Sequence, residues 1–476
     1  MSFHSLDYVA FFVLVVGLYW RLGHDNQNRM LLVASYLFYG WIHPWFLILV
    51  FASTVVDYAV GLLMEAYPAR KNRVFWMSLA ANLGLLGTFK YFNFFAENLR
   101  AALEAVGWHP APWTIEVVLP VGISFYTFQS LTYTIDVYRG RIAARRNFVD
   151  FALFVCFFPQ LVAGPIERAA RLLPKLEQPR VFSAAVARDA LVLMVWGFFK
   201  KLVIADNVGV VANKVFALEN PGFWMLWTGV FAFAIQIYAD FSAYSDIARG
   251  SARWLGIDLM VNFDHPYLAR TPRDFWRRWH ISLSSWFRDY VYIPLGGSRA
   301  GGWAHTRNVL ATFLLSGFWH GASWNYILWG GYHGLLLAVT RPFDALERER
   351  RGWGRLITAA QIAVMFVLTN IGWLLFRETS LPYLVKWLTL SPWASSPLER
   401  DAALYLFFVT AIYSVPLWLH SAYVAWAPAV HERLTRWGNA GVWAWSGAQA
   451  LVTTAMGLVI LLLRSRTSLD FIYFQF

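Results

Sequence analysis

The chain has 476 residues, of which 58% are apolar and only 14% charged, with a formal net charge of +12. A soluble domain carries about 25% charged residues, so this composition excludes a water-soluble globule, and no polar stretch is long enough to build a soluble core of its own. The basic excess is interleaved with apolar runs, the pattern of positively charged cytoplasmic loops, which excludes a nucleic-acid surface as its reason.

In chain order, the first apolar run covers residues 7–20. It lacks a basic leader and a small-residue cleavage site, so it reads as a retained helix. Runs at 30–64 and 75–99 follow, then less regular ones near 117–138, 147–163 and 187–216. Cys156, the only cysteine, lies in "FVCFFPQ" in the second of these less regular runs and reads as a buried small hydrophobe. Further runs occupy 223–241, 306–339, 356–376, 402–419 and 442–463. Each approaches the roughly 20 residues that a helix needs to cross hydrocarbon. The expectation is an all-α polytopic membrane protein with about ten to twelve crossings or partial crossings.

The connections set its orientation. "WRLGHDNQNR" at 20–29, "ARKNR" at 69–73, "RGRIAARR" at 139–146 and "RERRGWGR" at 348–355 are basic and read as cytoplasmic. Residues 101–116, 218–222 and 378–399 are poor in Lys and Arg and read as the opposite, periplasmic face, where the N-terminus also belongs. Residues 249–307 break the rhythm, being too polar and too interrupted for simple spans. They read as amphipathic helices at, or dipping into, the cytoplasmic interface, where membrane lipid is the bland partner of their arginines. Thr271 is the expected N-cap of one such helix, with Pro272 in its first turn. Because basic residues flank 308–340 on both sides, that stretch must cross twice or leave by the face it enters. Its glycines (317, 321, 330 and 331) favour broken, closely packed helices.

Chemistry-bearing residues concentrate in the second half. His320, in "GFWHGASWNY", is an ionisable group in a stretch otherwise built for lipid, with Asn325 close by. Such a group normally faces a protein cavity or a water path. Burial keeps an imidazole neutral and able to accept a proton. His280, in "WRRWHISLSSW", is read on an arginine-rich helix, where it is a substrate group or a snorkelling interfacial residue. Asp240 and Tyr244, in "QIYADFSAYSDIARG", share a helical face; Asp240 and Asp246 are read as proton-relay groups or as helix-stabilising partners reaching Arg249. His333 lies in "GGYHGLLL", whose glycines account for its neighbourhood by tight packing. Histidine pairs with HxxxH spacing, Cys/His clusters, a Walker-type loop and a GxSxG elbow are all missing, so neither a metal site nor a serine nucleophile is expected.

The stretches "DFSAYSDIARG", "FWRRWHISLSSWFRDYVYIPLGGS" and "GFWHGASWNYILWGGYHG" resemble the membrane-bound O-acyltransferase family. "LPVGISFYTFQSLTYTIDVYRG", "FFPQLVAGPIER" and the terminal "FIYFQF" extend the likeness over nearly the whole chain, in order. The branch most resembled is that of bacterial exopolysaccharide O-acetyltransferases of the alginate type. The resemblance implies one integral-membrane domain over residues 1–476, a ring of tilted helices around a central tunnel, in the bacterial inner membrane. The near-invariant histidine of the family falls on His320, within a catalytic segment 308–340, and a second family position falls on His280. It further implies acetyl-CoA as donor, no bound cofactor, and periplasmic esterase-like partner proteins. His320 is then the general base, while His280 orients substrate or stabilises oxyanion charge, with Asn325 supporting. Arg277, Arg278 and Arg288 are candidate ligands for the phosphates of the donor. Cellulose, peptidoglycan and teichoic acid systems use similar subunits, and a polysaccharide exporter is the reading from a different class.

Overall fold

The computed structural model describes residues 1–41, 43–115, 118–162, 164–349, 354–467 and 469–474. Every regular element among them is helical. Among the described residues, five helices are long and apolar enough to cross a bilayer: Phe46–Ala66, Phe223–Trp254, Arg355–Arg377, Pro397–Thr435 and Asn439–Leu463. Leu6–Tyr19 and Phe148–Leu161 are shorter apolar helices. The chain is an all-α, multi-pass membrane protein.

The apolar runs become helices whose breaks have local causes. The run 30–64 divides into His24–Gly40 and Phe46–Ala66. Pro44 lies in the gap and disfavours helical backbone at the residue before it. The run 75–99 is carried by Lys71–Leu86, a π-helical stretch Gly87–Tyr91, and Phe92–Ala105. The run 187–216 is likewise Ala184–Phe199, a π-helical stretch Lys200–Ala205, and Asp206–Phe216. A third π-helical stretch spans Arg288–Tyr292. Residues 350–353 of the basic connection, Ala163 of "FFPQLVAGPIER" and the last two residues of "FIYFQF" lie outside the described residues.

The chain forms two compact units, Met1–Ala190 with Ala248–Met260, and Leu191–Ile247 with Val261–Phe476. The first is pinned by buried polar contacts. Asp57, fully buried in Phe46–Ala66, accepts from Ser78 Oγ at 2.5 Å, from Asn82 Nδ2 at 2.9 Å and from Thr134 Oγ1 at 3.2 Å, which ties three helices to one carboxylate. Asn28 donates to Asp150 Oδ1 at 2.7 Å and to the Leu176 carbonyl at 2.8 Å. Cys156 is buried, and its thiol donates to the Ala152 carbonyl at 3.0 Å, as expected of an inert packing residue.

The second unit contains every candidate site residue. Residues 308–340 lie in a helical hairpin, Gly302–His320 and Trp324–Glu349, turned at 321–323. The two arms are unbroken, and the glycines serve their approach. A Cβ on Gly317 would strike the Tyr326 carbonyl oxygen, and one on Gly330 the Phe313 carbonyl oxygen. Close backbone approach of this kind replaces the hydrophobic drive that lipid-embedded helices lack. At Gly331 a Cβ would meet only Leu314 Cδ2 at 3.6 Å, an ordinary contact. We therefore expect Gly317→Ala and Gly330→Ala each to destabilise the protein by about 1–3 kcal/mol, while Gly331→Ala stays near wild type; thermal unfolding in detergent measures the difference.

Candidate active site

His320 ends the first arm of the hairpin and is buried. Its ring lies edge-on to Trp329 at 5.0 Å and to Phe376 at 5.4 Å between centroids, and 5.8 Å from Tyr473. Trp319 sits beside it, with ring centroids 5.0 Å apart. An imidazole walled by four aromatic rings is shielded from bulk water.

His280 is not on a helix. It sits in the break between two seven-residue helices, Pro272–Arg278 and Ile281–Phe287, with φ of 43°. Left-handed backbone is uncommon for a residue with a Cβ, although His is among the enriched types, and it persists only when the surroundings over-determine it. Here they do. The Ile281 N–H donates to the Asn262 carbonyl at 2.9 Å, and the Asp264 N–H to the Arg278 carbonyl at 2.9 Å, so segment 262–264 grips both sides of the break. The expected cap is also present: Thr271 accepts from the Asp274 N–H at 3.2 Å, ahead of Pro272.

The side chain of Asn262 then fixes the imidazole. Its Oδ1 accepts from the Ser282 N–H at 3.3 Å and from Ser282 Oγ at 2.9 Å, and lies 3.1 Å from His280 Nδ1. A backbone N–H can only donate, which orients the amide with oxygen toward His280. Nδ1 therefore carries the proton and Nε2 presents a lone pair, an assignment that follows from the hydrogen-bond network. Nε2 is buried with no hydrogen-bond partner among the described residues. His280 is wholly buried rather than snorkelling; its ring meets Phe241 at 4.7 Å, and Trp319 and Tyr473 each at 6.3 Å. Trp319 and Tyr473 thus flank both histidines.

The remaining candidates divide. Asn325 donates to the Phe376 carbonyl at 3.1 Å and to that of Leu375 at 3.3 Å, tying the second arm to the helix whose Phe376 ring walls His320. The carboxylates expected to reach Arg249 or relay protons meet lysines: Asp240 pairs with Lys201 at 2.9 Å and Asp246 with Lys200 at 2.7 Å. Tyr244 stacks on Phe471 at 4.0 Å. His333 packs among Phe275, Trp276 and Trp329, and its Nε2 would meet a Cβ placed on Gly372. Of the three arginines, Arg278 is held by Asp274 at 2.8 Å, Arg288 pairs with Asp289 at 2.8 Å, and Arg277 is exposed. Among the described residues no group of three His, Cys, Asp or Glu side chains is placed to hold a metal.

Comparison with known proteins decides the family. The family model for membrane-bound O-acyltransferases matches residues 31–378, a span that holds both histidines and Asn262. The chain belongs to the membrane-bound O-acyltransferase family. It is an O-acyltransferase, which settles the choice against an exporter. It is 37% identical to a probable alginate O-acetylase of Pseudomonas putida, over 100% of both chains. It is 39% identical to that of Pseudomonas aeruginosa, over 84% of this chain and 77% of the relative. A peptidoglycan O-acetyltransferase of Helicobacter pylori is 35% identical over 75% of this chain and 72% of its own.

Sequence reasoning missed Asn262 and Tyr473 as site residues. Asn262 is a single polar residue in "LMVNFDH", with no motif to mark it. "FIYFQF" carried a signal as a family likeness, yet nothing local pointed it at His320. If Asn262 holds the imidazole in its tautomer, Asn262→Ala should lower kcat tenfold or more with little change in donor KM, whereas His320 chemistry stays intact; steady-state kinetics on purified protein make the comparison.

Proposed function

We propose that this O-acyltransferase takes an acetyl group from acetyl-CoA at the cytoplasmic side of the bacterial inner membrane and passes it across for O-acetylation of a periplasmic or extracellular polysaccharide of the alginate type. The observation that carries the reading is the pair of buried histidines sharing Trp319 and Tyr473 as neighbours, in a chain similar over its full length to a probable alginate O-acetylase. Identities of 37% and 39% to probable alginate O-acetylases, against 35% to the peptidoglycan relative, incline the reading to alginate as the acceptor class.

In this reaction His320 accepts the proton of the acceptor hydroxyl as its oxygen attacks the thioester carbonyl carbon. The carbon–sulfur bond breaks, and the imidazolium returns its proton to the departing thiolate. Donor and acceptor brought together among the aromatic rings that surround His320 would gain orientation and be protected from hydrolysis. His280 accepts at Nε2 a hydrogen bond from a second hydroxyl of the acceptor, since the attacking hydroxyl gives its one proton to His320, and so orients the acceptor; its Nδ1–H tautomer makes it a poor oxyanion donor, and the orienting role is the one we assign. Asn325 supports the wall behind His320 through the end of Arg355–Arg377.

The donor carries several phosphate charges, so its entry should be basic. Residues 249–307, read as the cytoplasmic interfacial segment, supply that character, and Arg277 is exposed there. The orientation follows the basic connections, with the N-terminus periplasmic. We also propose that the acetyl group passes on to an esterase-like periplasmic partner, as the alginate-type branch implies.

Two measurements test this reading. His320→Ala should lower acetyl transfer from radiolabelled acetyl-CoA by about 10²–10⁴ while the protein purifies and unfolds like wild type; a fully active variant ends the assignment. Arg277→Glu should raise the apparent KM for acetyl-CoA severalfold with kcat unchanged, and salt should weaken donor use by the wild type. Unchanged KM would return Arg277 to lipid anchoring.

A further inference from the structure

Charged groups at the depth of the bilayer core are costly, and those that persist do so with partners and for a reason. Lys201 is 1% exposed at its side chain and has three acceptors around its ammonium: Asp206 Oδ1 at 2.8 Å, Asp240 Oδ1 at 2.9 Å and the Leu469 carbonyl at 2.8 Å. Three acceptors match its three protons. The second oxygen of Asp240 is used as well, accepting the Ile472 N–H at 2.7 Å. One cation and one carboxylate thus seize the main chain at two points three residues apart, once by a carbonyl and once by an N–H.

What they seize is the segment that follows the helix Asn439–Leu463. Among its described residues it carries a short 3₁₀ turn, Ile472–Phe474, and a further main-chain tie where the Ser465 N–H meets the Leu202 carbonyl at 3.1 Å, while Asn207 Nδ2 holds the helix end at the Leu463 carbonyl at 3.0 Å. Between and beyond the two grips stand Phe471 and Tyr473. Phe471 stacks on Tyr244 at 4.0 Å. Tyr473 packs on Phe241 at 4.3 Å and faces both His280 and His320. Fixing the main chain at Leu469 and Ile472 therefore fixes the ring that flanks the two imidazoles.

We propose that Lys201 and Asp240 are positioning residues for acyl transfer: they clamp residues 469–472 so that Tyr473 closes the wall of the histidine site. The proposal rests on the histidine reading above. A clamp that merely tied a chain segment to the bundle would alter stability and leave turnover alone, and that difference is measurable.

The test uses the full-length chain with Cys156→Ala and a spin label on Asp470→Cys, an exposed position between the two grips. Asp240→Ala removes the acceptor of the Ile472 N–H and leaves the Lys201–Asp206 pair formally neutral. It should mobilise the label and lower kcat at least tenfold, with the apparent KM for acetyl-CoA within threefold. Asp240→Asn retains one of the two oxygen acceptors, its NH2 taking the place of the other, and should give a kcat above that of Asp240→Ala but below wild type. Should Asp240→Ala fail to fold, Ile472→Pro removes the N–H, together with the buried Ile side chain, while leaving all three charged groups in place, and should give the same mobile label and low kcat. A mobile label with wild-type kcat overturns the proposal, and so does a low kcat with an immobile label. His320→Ala separates the two readings: if it is active, the histidine reading fails, whereas if it is inactive and Asp240→Ala shows a mobile label at full kcat, only the clamp fails.

Discussion

A polar group at the depth of the bilayer core has no water to fall back on, so its partners must come from the protein. The arrangement of this chain follows from that constraint. In the first unit Asp57 draws Ser78, Asn82 and Thr134 from two other helices onto one carboxylate. In the second, Lys200 meets Asp246 and Lys201 meets two carboxylates and a carbonyl. Each cluster joins elements distant in sequence, and each fixes their relative rotation more sharply than apolar contact alone can.

The same constraint shapes the candidate site. His280 is wholly buried in a backbone conformation that few residues adopt, and it persists because Asn262 uses its main-chain carbonyl and its side-chain oxygen on the two residues that follow the histidine, and on the histidine itself. The reward for this strain is directional. One ring nitrogen is spent on the amide oxygen, and the other keeps its lone pair, buried and without a hydrogen-bond partner among the described residues. His320 reaches the same neighbourhood from the end of a helix, delivered by a hairpin whose arms touch through glycine.

Much of this was legible beforehand. Membrane class, the positions of most helices, the two-armed nature of 308–340 and the Thr271 cap all follow from local patterns of hydropathy, charge and capping, which the sequence writes in adjacent residues. The missed features depend on residues that meet only after folding. Lys200 and Lys201 look like an ordinary basic pair in "WGFFKKLVIAD", and although Asp206 stands in that stretch, nothing nearby says that Asp240 and Asp246, about forty residues on, are partners as well. The helix assigned to His280 failed for a related reason. The arginine-rich pattern around it is helical on both sides, and the reversal at His280 is imposed by segment 262–264, which local periodicity cannot see.

The π-helical stretch Lys200–Ala205 carries one more consequence. A π-bulge is in effect a single added residue in an α-helix, and it tends to occur where function needs it. Here two neighbouring lysines must each find a separate acidic partner on the helix Phe223–Trp254, Asp246 for one and Asp240 for the other, six residues or nearly two turns apart. A regular helix sets adjacent side chains about 100° apart, which suits one facing residue at a time. Widening the turn changes that phase. The local winding of Lys200–Ala205 therefore acts as a gear between two helices, and a one-residue deletion there would leave every side chain chemically intact while putting Asp206–Phe216 out of step with the lysines that precede it.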